Sequence, residues 1–282
     1  MVSEHKTADV SFESLLRIFT VPEGPDSTLT QIDEELSRNL NKFLREHIVA
    51  EEKPLWEIEK DFSNATIPEQ PEFVSDHTQH LLDTLVSHSV HTSAPSFIGH
   101  MTSALPYFLM PLSKIMIALN QNLVKIETSK AFTPLERQVL GMLHRLIYGQ
   151  SDTFYDQWMH SANHSLGAFC SGGTIANITA LWVARNKALR ANGSFKGVEK
   201  EGLFKAMKHY GYDGLAVLVS ERGHYSLKKA ADVLGLGQEG LVAVKTDANN
   251  RIIVDDLKAK IVELEKQNIK PIAVIGVAGT TE

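Results

Sequence analysis

Ser171-Gly172-Gly173-Thr174 sets two glycines between hydroxyl residues, directly after the apolar run Leu166 to Cys170 and before the helically spaced apolar residues of Ile178 to Leu189. A turn of this kind exposes backbone N–H groups at the positive end of a helix, and glycine lets the chain approach a bound anion closely, so the pattern suits a phosphate. Glycine pairs also end strands for steric reasons alone, which leaves an ordinary strand-to-helix turn as the alternative. Two further strand ends carry reactive side chains. Ser220-Glu221-Arg222-Gly223-His224-Tyr225-Ser226 follows a run ending at Val219, and Ala278-Gly279-Thr280-Thr281-Glu282 follows one ending near Val277. Ligands of open α/β sheets sit beyond the carboxyl ends of the strands, so cradle, imidazole and paired hydroxyls should converge on one pocket. A histidine placed there suits stacking on an aromatic ligand.

The elements that must position these residues alternate from Leu166 onward. Strands are expected at Leu166 to Cys170, Gly214 to Val219, Leu241 to Lys245 and Ile272 to Val277, with helices at Ile175 to Leu189, Ser226 to Leu234 and Val254 to Gln267. Short apolar strands alternating with helices predict a mostly parallel sheet with helices on both faces. Ala191 to Glu201 reads as a polar linker. Upstream, Thr133-Pro134-Leu135-Glu136 combines an N-cap hydroxyl, a first-turn proline and a returning glutamate, so a helix should begin at Pro134, bury Leu135, Val139, Leu143 and Leu146, and stop at Gly149. Two amphipathic helices are expected before it. One spans Asp26 to Val49 with Leu29, Ile32, Leu36, Leu40 and Phe43 on one face; the other spans Phe73 to Val86 with Val74, Leu81, Leu82 and Leu85 inside.

Composition narrows the function. With 282 residues, 43% hydrophobic and 22% charged, the chain can bury a substantial core. A net charge of −6 without a basic run argues against nucleic acid or an anionic membrane as partner, which leaves small molecules. Cys170 is the single cysteine and fits a reducing compartment, read as a buried strand thiol rather than a nucleophile. Met1 to Glu13 lacks the apolar core of a secretory signal, and Leu105 to Leu123 is interrupted by Pro106, Pro111, Lys114 and Asn120, so no membrane span is expected. A cytoplasmic location follows. His77 with His80, or His88 with His91, could be written as metal pairs, but nothing completes a ligand set; solvated or interface histidines are expected, and no metal.

The motifs together resemble one family. Ser171 to Asn177 with Ala184-Arg185, then Ser220 to Ser226 with Leu227-Lys228-Lys229-Ala230-Ala231 and Leu234-Gly235, then Ala278-Gly279-Thr280-Thr281, are similar in order and spacing to the group II pyridoxal-phosphate-dependent amino acid decarboxylases. The similarity runs from about Pro95 to the last residue. Ile175 stands where many relatives carry an acidic or polar residue, although the glutamate and cysteine-sulfinate branch also shows isoleucine there. That branch and bacterial aspartate 1-decarboxylases of pyridoxal type are the likeness.

The resemblance implies a fold type I large domain over 95–282, incomplete and without the C-terminal small domain, preceded by a helical segment over 1–94. It implies pyridoxal 5'-phosphate as cofactor, a homodimer, and α-decarboxylation of an acidic amino acid, aspartate to β-alanine or glutamate to 4-aminobutyrate. Ser171, Gly172, Gly173 and Thr174 would hold the cofactor phosphate. His224 would stack on the ring as a cofactor-binding and catalytic residue, Thr281 would approach the phenolic oxygen, and Phe97, His100 and Thr102 would face the substrate. His100 takes the place of a glutamine that contacts the distal carboxylate in glutamate decarboxylases; a loop histidine without a ligand is the alternative.

The family's lysine that bonds the cofactor covalently, and the aspartate that pairs with its pyridinium nitrogen, are expected beyond Glu282. Lys228 and Lys229 follow His224 on a helix, where the family's lysines have no covalent role. The resemblance therefore implies a portion of a longer decarboxylase that is inactive by itself, with a non-catalytic dimerising or regulatory chain as the second reading. A nucleotide binder is disfavoured, since no lysine follows the glycines and no third glycine completes a dinucleotide fingerprint.

Overall fold

The computed structural model describes residues 34, 40–46, 48–49, 51–67, 69, 74–99, 101–102, 104–106 and 108–279. The chain divides into two compact units, Met1–Asn120 and Gln121–Glu282.

The first unit carries helices α1 (Asn41–Glu46), α2 (Leu55–Asp61), α3 (Val74–Leu81) and α4 (Leu109–Leu119), with no strand among its described residues. The π-helical turn Leu82–Val86 continues α3, so the helix expected over Phe73 to Val86 forms from Val74 onward, Phe73 lying outside the described residues; Leu81 and Leu82 are half-buried but Leu85 faces out. Most of the helix expected over Asp26 to Val49 lies outside the described residues. The apolar segment Leu105 to Leu123 yields only the 11 residues of α4, which Asn120 ends in the left-handed region at φ 40°. Among the described residues no helix is long and apolar enough to cross a membrane.

His88 and His91 are buried pins rather than solvated groups. Lys53 Nζ donates to His88 Nε2 at 3.1 Å, so Nδ1 carries the hydrogen that reaches the Glu51 carbonyl at 3.0 Å. His91 is 2% exposed and directs Nε2 at the Val86 carbonyl at 2.9 Å. Burial without a partner would be costly, and both rings satisfy that demand on backbone oxygens.

The second unit contains α5 (Ile126–Ser129), α6 (Phe132–Tyr148), α7 (Asp152–Trp158), α8 (Gly173–Ala188), α9 (Val198–Tyr210), β1 (Gly214–Ser220), α10 (Ser226–Val233), β2 (Leu241–Val244), α11 (Val254–Lys266) and β3 (Ile269–Ile275). The strands form one parallel sheet in the order β2-β1-β3. β1 is central, and Leu215 to Ser220 are all buried, as a strand covered on both faces requires. On one face Val217 and Val219 pack with Leu181 of α8 and with Leu227 and Ala230 of α10. On the other, Ala216 and Leu218 pack with Val244 and with Leu264 of α11. Leu215 joins a further cluster with Leu189, Phe195, Val198 and Ala206, so the stretch expected as a polar linker instead contributes buried Phe195 and an Asn192–Phe195 bridge.

β3 starts at Ile269, three residues before the expected Ile272. Pro271 cannot donate to a ladder, and it is tolerated because the register slips beside it, from Ala216↔Pro271 to Val217↔Ala273. α6 also differs from expectation. It begins at Phe132 with no side-chain cap; the Thr133 hydroxyl instead bonds the Ser129 hydroxyl and donates to the Leu123 carbonyl at 3.2 Å. Leu135, Leu143 and Leu146 are exposed, while the covered side of α6 is Gly141 against Met159 and His144 against Tyr155. Gly149 ends the helix at φ 58°, as expected.

Candidate functional site

The glycine turn opens α8, a 16-residue helix whose first backbone bond runs from the Ala176 N–H to the Gly172 carbonyl at 3.0 Å. The N–H groups of Gly173, Thr174 and Ile175 have no acceptor within the helix, and no side chain caps this end. A Cβ built on Gly172 or on Gly173 meets nothing within 4 Å, so packing within the chain demands neither glycine. The open space at both glycines adjoins the helix end that carries these three donor N–H groups. Ser171 is exposed and Thr174 half-buried beside it. This arrangement fits a phosphate group: dipole, donors and open approach coincide. The segment expected to be a strand before the turn is none. Residues 167–170 belong to no ladder, and Phe169 is 56% exposed; a strand exists only where a neighbour accepts its hydrogen bonds, and no described residue does.

The His224 loop is built at the end of β1. Gly223 N–H donates to the Ser220 carbonyl at 2.7 Å, and Arg222 N–H to the Ser220 hydroxyl at 3.2 Å, which folds the chain back over the strand end. Gly223 is required by close approach: a Cβ there would stand 2.9 Å from Val219 Cγ2 and 3.0 Å from the Ser220 carbonyl oxygen. Glu221 fastens the turn to the end of β2. Its carboxylate accepts from the Thr246 hydroxyl at 2.6 Å and from the Thr246 N–H at 2.9 Å, and these bonds hold its pKa below the ordinary carboxylate value.

Beyond the turn, His224 and Tyr225 are exposed, with ring centroids 4.2 Å apart. His224 Nδ1 lies 2.8 Å from Ser226 Oγ and accepts the Ser226 N–H at 3.2 Å, while Asn177 Nδ2 donates to the same Oγ at 3.0 Å. Asn177 stands four residues past Gly173 on α8, so the imidazole is tied to the helix that the glycine turn opens. The far ends of the two helices are joined as well, since Arg185 Nη1 donates to the Leu234 carbonyl at 3.0 Å. Partial burial of the guanidinium lowers its pKa from the ordinary value. Asn177, Arg185 and Ser226 belong to the motifs that carry the family resemblance, but no role for them individually is legible in the sequence.

The other expected site residues are distributed unevenly. Phe97 is half-buried and Thr102 exposed in the first unit, and Phe97 packs on its own chain at Gly99. His100 and Thr281 lie outside the described residues. Lys228 and Lys229 are exposed on α10. No group of histidine, cysteine, aspartate and glutamate side chains suited to a metal occurs among the described residues.

Comparison with known proteins places these observations in context. Residues 57–282 match the pyridoxal-dependent decarboxylase conserved domain. The chain is 77% identical over all of its 282 residues to an aspartate 1-decarboxylase of Aliivibrio fischeri, and covers 52% of that protein. It is 29% identical over 202 residues, 71% of its length, to an acidic amino acid decarboxylase of Xenopus tropicalis, covering 34% of it. The chain thus spans about half the length of the first of these relatives and matches about a third of the second. Among solved structures, mouse CSAD superposes with a TM-score of 0.69 at 24% identity, over 87% of this chain and 47% of that one. The glutamate decarboxylase domain of a diaminobutyrate-pyruvate transaminase and L-2,4-diaminobutyrate decarboxylase from Vibrio parahaemolyticus superposes with a TM-score of 0.75 at 20% identity, over 96% and 56%. These likenesses show a shared fold.

Proposed function

Because the chain belongs to the pyridoxal-dependent decarboxylase family, matched over residues 57–282 and carrying part of the fold type I large domain, we propose that it supplies the phosphate-binding portion of an acidic amino acid α-decarboxylase. The observation that carries this reading is the uncapped, glycine-cleared N-terminus of α8, joined through Asn177 and Ser226 to His224. Aspartate, giving β-alanine, is the preferred substrate, since the identity to an aspartate 1-decarboxylase extends over every residue of this chain. Glutamate, giving 4-aminobutyrate, is the competitor.

Pyridoxal 5'-phosphate, when bound, supplies an electron sink for the pair released as the α-carboxylate leaves as carbon dioxide. The chain's own residues bind and orient. The N–H groups of Gly173, Thr174 and Ile175 anchor the phosphate, helped by the hydroxyls of Ser171 and Thr174. His224 would stack on the ring and hold its plane, which orients the bond to be broken. By the family resemblance, Thr281 would serve the cofactor's phenolic oxygen, and Phe97, His100 and Thr102 would serve the substrate, His100 its distal carboxylate. The active protein is a cytoplasmic homodimer on this reading.

The test is a substrate comparison with the full gene product and added pyridoxal phosphate. Release of carbon dioxide from aspartate with equimolar β-alanine, several-fold faster than 4-aminobutyrate from glutamate, is expected. No amine from either substrate refutes the proposal.

A further inference from the structure

We propose that Asn177 and Ser226 are positioning residues for His224: their hydrogen bonds fix which imidazole nitrogen carries the proton and the orientation of the ring relative to the glycine turn. The inference rests on the reading that His224 meets the cofactor ring, but its sense is set by this chain's own donors. The Ser226 backbone N–H points at His224 Nδ1 from 3.2 Å, and a backbone N–H only donates. That long bond favours a lone pair on Nδ1, with the hydrogen of the neutral ring on Nε2, and the Ser226 hydroxyl completes the selection. The Asn177 Nδ2 group, 3.0 Å from Ser226 Oγ, also only donates, so the hydroxyl oxygen accepts it and the hydroxyl hydrogen is directed to Nδ1 at 2.8 Å. An imidazole with its hydrogen on Nδ1 would face the Ser226 N–H hydrogen and would require Ser226 Oγ to accept a second bond beside the one from Asn177.

Burial makes the arrangement stringent. Ser226 is 1% exposed, so water does not replace a lost partner at its hydroxyl. His224 itself is exposed, and an exposed side chain on a loop otherwise samples several rotamers. The two bonds to Nδ1 select among them. The selected orientation is referred to α8 rather than to the loop, because Asn177 stands one turn beyond Gly173 and Arg185 holds the other end of α10 through the Leu234 carbonyl. A displacement of the glycine turn and a rotation of the ring are thereby coupled.

The decisive experiment reads the tautomer without cofactor, by long-range proton–nitrogen NMR of the histidine rings in the full chain at alkaline pH. In the wild type His224 shows hydrogen on Nε2 only. Asn177→Asp keeps the shape but replaces the donor by an acceptor, which captures the Ser226 hydroxyl hydrogen and turns the oxygen lone pairs toward Nδ1; a mixture containing the Nδ1-protonated form is expected. Ser226→Ala, which removes the hydroxyl donor, gives a mixture as well, and Ser226→Thr restores the single form. In pyridoxal phosphate titrations Ser226→Ala binds about 2- to 10-fold more weakly, the loss expected for one net hydrogen bond, with an altered absorption band, and Ser226→Thr recovers both. A wild-type ring protonated on Nδ1, or tautomers unchanged in Asn177→Asp and Ser226→Ala, overturns the proposal. A wild type with the Nε2 tautomer that binds no pyridoxal phosphate overturns the functional reading while supporting the hydrogen-bond chain.

Discussion

Replacing Gly223 by alanine tests whether the His224 loop is held by close contact. The added methyl would lie 2.9 Å from Val219 Cγ2 and 3.0 Å from the Ser220 carbonyl oxygen. Neither neighbour can yield freely: Val219 is 3% exposed within the cluster formed with α8 and α10, and the carbonyl belongs to the end of the central strand. Overpacking of this kind costs about 1–3 kcal/mol. Gly223 is not among the positive-φ residues, so alanine also gains about 0.4–1 kcal/mol by restricting the unfolded chain. The two ranges combine to a destabilisation of at most about 2.6 kcal/mol and centred on about 1.3 kcal/mol, the latter about 3–5 °C in Tm for a domain of this size. Urea unfolding followed by circular dichroism should show a lower midpoint with an unchanged slope. Gly276→Ala, where the methyl meets nothing within 4 Å and φ is not positive, serves as the control and should raise the midpoint by the equivalent of about 0.4–1 kcal/mol. A Gly223→Ala protein as stable as the wild type would refute the reasoning.

Other perturbations separate the core, the loop fastening and a cap. Leu218→Ala removes a fully buried side chain from β1 and should cost about 2–5 kcal/mol by thermal or urea unfolding, the range for cavity-forming core truncations. Glu221 has a folded pKa below its unfolded value, chiefly through the Thr246 hydroxyl, so its contribution is present above the unfolded carboxylate value and disappears as pH falls through the folded one. Urea midpoints of wild type and Glu221→Gln should accordingly differ near neutrality and converge in acid; a gap that widens on acidification contradicts the assignment. Ser151 caps α7 by accepting the Phe154 N–H at 3.3 Å, and Ser151→Ala should cost about 0.5–1 kcal/mol in the same assay.

The parts legible in the sequence are those where local chemistry leaves one solution. β1 is an unbroken apolar run because both of its faces are covered, and α8, α10 and α11 follow from helical spacing between short strands. Where the outcome depends on a partner, reading the sequence fell short. Leu166 to Cys170 has the composition of a strand but no neighbour among the described residues to pair with. The stripe Leu135, Leu143 and Leu146 has helical spacing, yet periodicity reveals which residues share a face, not what covers it; Gly141 and His144 mark the covered side. Thr133 has a capping pattern, but Ser129 and Leu123 offer its hydroxyl better-placed partners. Within the site, the glycine turn and His224 were visible because their residue types are unusual at strand ends. Asn177 and Ser226 lie 49 residues apart, and only the packing of α8 on α10 shows that they meet.

Cofactor titration of wild type and Gly173→Val tests the central claim, that a phosphate group sits in front of the α8 N-terminus. A Cβ at Gly173 meets no atom of the chain beyond its own helix turn within 4 Å, so the valine is accommodated by the fold while it crowds the approach to the helix end. Displacing the phosphate forfeits at least one charge-assisted hydrogen bond of about 1.5–3 kcal/mol, a loss of about tenfold or more in affinity. Fluorescence titration with pyridoxal 5'-phosphate should therefore show saturable binding by the wild type and binding at least about tenfold weaker by Gly173→Val, with both proteins giving the same far-ultraviolet circular dichroism. Equal affinities in two equally folded proteins would contradict the account.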